Sequence, residues 1–119
     1  MKIKTNEASG VVLDWMVVYI QTYKATDGKP VLTEDLMRRA LKNGMASPST
    51  DWSQGGPIIE REGICFASIR KGRKIAGWRA AYRKDGVFGF DSSTTLIAAC
   101  RCFVASKLGE EVEVPDELA

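Results

Sequence analysis

The sequence predicts an α+β fold, a small three-stranded antiparallel sheet packed against an N-terminal and a C-terminal helix. Three observations carry this. Apolar residues recur at helical spacing near both ends, in Val11–Ile20 and Leu96–Leu108. The stretch Ile64–Asp91 reads as a strand meander punctuated by Gly72 and Asp85-Gly86. The 119 residues fit one domain over 1–119, which buries enough surface to fold without a disulfide or a metal.

The first helix is expected from a Ser9 cap through Tyr23. Val11, Val12, Leu13, Trp15, Met16, Val17, Val18 and Ile20 are too many for a narrow stripe, so it is a central, buried helix. Ala25–Pro30 reads as a loop. Thr33 then caps a surface amphipathic helix carrying Leu36, Met37, Ala40 and Leu41, ended by Asn43-Gly44. Next comes a polar stretch, Ser49–Pro57, read as an irregular loop around a buried-looking Trp52. Pro57 suits a first helical position, so Ile58–Glu62 is expected as one or two helical turns, with a short strand as the competing reading.

In the meander, a three-residue turn Lys84-Asp85-Gly86 pairs Arg83 with Val87. Trp78, Ala80 and Tyr82 then share a face with Phe88 and Phe90, while Arg79, Arg83 and Asp91 fall on the other. A similar turn at Lys71-Gly72-Arg73 adds Ile64 and Phe66 to the aromatic face. Ser92 or Ser93 caps the last helix, which stops at Gly109. Residues 109–119 form an acidic tail, whose Val112, Val114, Pro115 and Leu118 allow part of it to dock.

Composition excludes several functions. Hydrophobic residues at 45% and charged residues at 27% are those of a soluble globular protein. No run of about 18 apolar residues exists, so no transmembrane helix and no membrane partner are expected. The start, Met1–Thr5, lacks the apolar region of a signal peptide, and the three cysteines, Cys65, Cys100 and Cys102, cannot all pair; both point to the cytoplasm. The absence of histidine removes Ser–His and Cys–His nucleophile pairs and His-liganded metals. Cys100 and Cys102 diverge by roughly 200° around a helix and cannot chelate one metal. All three cysteines read as small apolar core residues. No enzyme, cofactor or metal site is expected.

Two constellations stand out. Net charge is only +2, but Arg70, Lys71, Arg73, Lys74, Arg79, Arg83 and Lys84 lie between Ile64 and Lys84 with no acid among them. Such a hairpin can neutralise phosphates, or it can simply keep strand edges from aggregating. The second is Asp51, Trp52, Gln54, Gly55, Gly56 and Glu60. Gly55-Gly56-Pro57 at a helix start can offer N–H groups to an anion, yet no Lys or Arg follows at phosphate-loop spacing. Glu60 and Glu62 flank Arg61 and read as surface ion-pairing groups.

Met1–Thr5 with Gly10 and Leu13-Asp14-Trp15, the central Ser49–Glu62, and Leu96–Gly109 continuing to Val114–Leu118 together resemble the NinX-type family of small bacteriophage proteins. The resemblance implies a phage or prophage origin and expression in the host cytoplasm. It supplies no activity, because the family is one of unknown function. It also makes the Asp51–Pro57 region a better candidate for a shared role than the basic hairpin, which lies outside the matched runs.

The expected function is a non-enzymatic phage accessory protein that binds a host or phage protein through Asp51, Trp52, Gln54, Gly55, Gly56 and Glu60. An exposed Trp52 would support this and a buried one would weaken it. The alternative is a nucleic-acid-binding module using Arg70, Lys71, Arg73, Lys74, Arg79 and Arg83. A third reading, a small enzyme or ligand-binding protein, needs a pocket joining Asp51, Gln54 and Glu60. Oligomeric state is left open by the sequence.

Overall fold

The apolar run after Ser9 forms helix α1, Gly10–Tyr19, which continues into a wider π turn over Ile20–Lys24. Leu13, Trp15, Met16, Val17, Val18 and Ile20 are buried, as expected for a central helix. Ser9 holds the N-cap position in extended backbone, but its hydroxyl makes no capping bond. The computed structural model describes residues 1–24, 34–82 and 90–118. The expected Ala25–Pro30 loop, the Thr33 cap and the Lys84–Gly86 turn lie outside the described residues, as do Arg83 and Phe88.

Helix α2, Glu34–Lys42, buries Met37 and Leu41 one turn apart. Leu36 is exposed, which corrects its place in the apolar stripe: the buried face is Met37–Leu41, and Leu36 lies off it.

The largest correction concerns Ser49–Pro57. Trp52–Glu62 is one helix, α3, with Gly55, Gly56 and Pro57 inside it rather than before it. Asp51 is the cap: its Oδ1 accepts from the Ser53 amide at 2.9 Å, and its carbonyl accepts from the Gly55 amide at 2.9 Å. Pro57 forfeits only one intrahelical bond there. Gly55 is required by packing, since a Cβ would stand 2.5 Å from both the Pro48 carbonyl oxygen and Leu96 Cδ2. Gly63, left-handed at φ 66°, ends α3 and turns the chain into the sheet.

The sheet has the order β2-β3-β4, with β2 at Ile64–Lys71, β3 at Lys74–Tyr82 and β4 at Phe90–Ser92. Strand β1 is Lys2–Lys4 and belongs elsewhere. In β3–β4, Trp78 pairs with Ser92, Arg79 with Asp91 and Ala80 with Phe90, the register that the three-residue turn demands. At β2–β3 the expected turn is corrected. Lys71 pairs with Lys74, so only Gly72 and Arg73 turn, and a bulge then shifts the pairing between Ile69 and Arg70. The bulge restores the face parity: Phe66 pairs with Ala80, so Ile64 and Phe66 still share the covered face with Trp78 and Ala80.

Helix α4, Thr95–Leu108, lies across that face, burying Leu96, Ala98, Ala99, Cys100, Cys102, Phe103 and Val104. Its cap is Thr94, whose hydroxyl accepts from the Ile97 amide at 3.2 Å, because Ser92 is still in β4. Arg101 leaves the helix to donate to the carbonyls of Ala8 at 2.7 Å and Asp91 at 2.9 Å.

The acidic end is not a free tail. Strand β5, Glu111–Glu113, pairs antiparallel with β1 as a second sheet, setting Lys2 opposite Glu113 and Lys4 opposite Glu111. Val112 and Val114 are buried, and the Thr5 hydroxyl donates to the Gly109 carbonyl at 2.7 Å.

Candidate functional site

The α3 entrance is built by side chains that serve the backbone. Gln54 clamps the chain before it: its Oε1 accepts from the Ser47 amide at 2.8 Å, and its Nε2 donates to the Met45 carbonyl at 2.9 Å. That Nε2 also donates to Asp51 Oδ2 at 3.0 Å. Asp51 Oδ1 accepts from the Ser53 hydroxyl at 2.7 Å as well as from its amide. The Ser53 bonds and the Gln54 amide hold the Asp51 carboxyl below its ordinary value of 3.8.

Beneath this turn lies Asp14, a group to which the sequence reading gave no role of its own. Asp14 is 6% exposed on α1, and its Oδ1 accepts from the Ser49 amide at 2.8 Å. Burial raises its pKa, while the Ser49 contacts act in the opposite direction. Its signal was present in the sequence, as the single charged residue in Val11–Ile20. Cys100, buried on α4, is pushed up to about 12 by burial and by Asp14, and its Sγ donates to the Pro48 carbonyl at 3.7 Å. A thiol so placed stays protonated and packs as a small apolar group.

With Asp51 and Gln54 so engaged, Trp52 is left on the surface. It is 57% exposed, which corrects the expectation of a buried anchor. A shallow groove of about 220 Å³ beside it is lined by Ser49, Thr50, Thr94, Thr95, Leu96 and Ile97. The groove therefore joins the first turns of α3 and α4, two elements far apart in sequence. Gly55 is buried with its amide donating to the Asp51 carbonyl, and Gly56 is half-buried. Glu60 is exposed near the far end of α3, away from Asp51 and Gln54 in the same helix.

The basic residues divide. Arg70, Lys71, Arg73 and Lys74 are exposed around the β2–β3 turn. Arg79 is paired instead: its Nε and Nη2 donate to Asp91 Oδ1 and Oδ2 at 2.7 and 3.0 Å on the outer sheet face. That contact holds the Asp91 carboxyl below its ordinary value. Arg79 thus carries an acidic partner on the exposed sheet face. Cys65 is exposed on β2, correcting its reading as a core residue, whereas Cys100 and Cys102 are buried as expected. Glu62 accepts from Lys107 at 3.2 Å. Among the described residues no group of three or more His, Cys, Asp or Glu is placed to hold a metal ion. No helix among them is long and apolar enough to cross a membrane.

The family model described as bacteriophage P22 NinX matches residues 4–107. The chain belongs to the NinX family. That span takes in Asp14, the Ser47–Trp52 turn, the whole β2-β3-β4 sheet and α4 up to Lys107. The basic hairpin, outside the runs quoted from the sequence, thus lies inside the matched NinX span. No curated protein matches the chain. Membership marks this as a bacteriophage accessory protein.

Proposed function

We propose that this NinX-family chain is a non-enzymatic protein-binding module of the host cytoplasm. Its contact surface would be Trp52 and the groove between the α3 and α4 entrances, and its partner a host or phage protein. The observation that carries this reading is the 57% exposure of Trp52 beside Asp51 and Gln54, whose side chains are engaged within the turn. An indole held on a pre-ordered backbone loses little freedom on binding, and such aromatics anchor many interfaces. A catalytic role finds little support: the chain has no histidine, and burial keeps the Cys100 thiol protonated.

A photo-crosslinking residue at Thr95, expressed in the bacterial host, tests the surface. A discrete adduct that vanishes on Trp52→Ala, and that is not formed from position 61, is the expected result. No adduct from either position 95 or position 52 overturns the reading, as does an identical adduct from position 61.

One observation favours a second reading. Arg70, Lys71, Arg73 and Lys74 project together at one hairpin end, and no salt bridge among the described residues engages them. Nucleic-acid binding through them would weaken steeply with salt. Fluorescence anisotropy with labelled DNA and RNA checks this. Binding should be lost when all four are changed to Gln, and its absence at low salt retires the reading.

A further inference from the structure

Strand β2 is an edge of its sheet and runs for 8 residues, whereas the opposite edge, β4, has 3. Native edges are commonly protected by shortness, proline, a bulge or charge. The stretch Ile64–Ile69 has none of these: it carries no charge and no proline, and the bulged side of the β2–β3 ladder is in β3. Among the described residues, the only backbone hydrogen bonds made by β2 are to β3. Cys65 and Ala67, small and exposed, flank the half-buried Phe66.

The charge on β2 is all at one end, in Arg70 and Lys71, with Arg73 and Lys74 just beyond. At its other end Gly63 joins it to α3, whose closing acids Glu60 and Glu62 are matched by Arg61 and by Lys107, so that end carries no net charge. Parallel self-pairing would stack the basic ends. Antiparallel self-pairing separates them by the length of the strand and sets each against the charge-balanced start of the other copy, where no net like charge opposes it. We infer that the outer edge of β2 pairs antiparallel with β2 of a second copy of this chain, giving a two-fold dimer with one continuous sheet. This surface is separate from the Trp52 groove, so the two proposals stand or fall independently.

Sedimentation equilibrium from micromolar to millimolar protein tests it. The mass should rise with concentration towards twice the chain's 13.1 kDa. Ala67→Lys, at an exposed site beside the two-fold axis, should weaken association by about tenfold or more, with circular dichroism unchanged. Cys65→Lys is the second variant and should act alike. Met45→Lys, exposed between α2 and α3, should leave the dimer intact. A monomer throughout the range overturns the inference, and so does a dimer indifferent to both edge substitutions.

Discussion

Asp14 shows how one side chain can fix a segment that has no regular structure of its own. Its carboxylate receives the Ser49 amide inside the core, and Asp14→Ala would leave that amide buried without a partner. The loss should be about 1.5–3 kcal/mol in urea unfolding, with Asp14→Asn costing less because an acceptor remains. The pH dependence follows from the raised pKa. The native state takes up the Asp14 proton before the unfolded state does, so the cost of its buried charge is present at neutral pH and is relieved as pH falls towards 3.8. Unfolding midpoints of native protein and Asp14→Asn should therefore shift in favour of the native protein on acidification. Asp51 behaves oppositely. Its depressed pKa contributes stability above 3.8, lost as pH falls through the lower folded value, and faster exchange of the Ser53 amide in acid would report it.

Helix α3 illustrates how an element can contradict its local signals. Two glycines and a proline in sequence read as a break, and by intrinsic propensity they are one. The helix forms because Asp51 caps it and because Gly55 lets it approach Pro48 and Leu96. The two glycines consequently make different predictions. Gly55→Ala forces a Cβ to 2.5 Å from a backbone carbonyl and should destabilise by about 1–3 kcal/mol. Gly56→Ala meets nothing nearer than Trp52 Cε3 at 3.8 Å and should stabilise by about 0.5–1 kcal/mol. Thermal unfolding of the pair checks both, and equal losses would show that the helix does not begin at Trp52. The β2–β3 ladder carries the complementary lesson. Its turn is one residue shorter than the sequence reading expects, yet the bulge returns each side chain to the face that burial requires.

At the scale of the whole molecule, the ends of the chain meet. The Met1 amine donates to Glu113 Oε1 at 2.6 Å and lies 3.0 Å from Asp116 Oδ1, contacts that raise its pKa. Behind this exposed pairing, Val112 and Val114 are buried. Removing residues 110–119 strips β1 of its partner and uncovers apolar surface near α4. The truncated chain should melt at least several degrees lower, as scanning calorimetry would show. An unchanged midpoint would mean that β5 is dispensable to the core.

By itself the sequence determined the two apolar helices, the meander and its covered face, because periodicity and turn chemistry act over a few residues and survive small errors of register. It also marked the central polar stretch as unusual, through its concentration of Trp, Gln, Gly and Pro. Only the tertiary structure decided that Ser49–Pro57 is a capped helix entrance, that Trp52 faces solvent and that Asp91 engages Arg79. The pairing of β1 with β5 was likewise beyond local reading. Each of these rests on contacts between residues far apart in the chain: Asp14 with Ser49, Gly55 with Leu96, Lys2 with Glu113. Local propensity is worth tenths of a kcal/mol per residue, and a single close tertiary contact of this kind outweighs it.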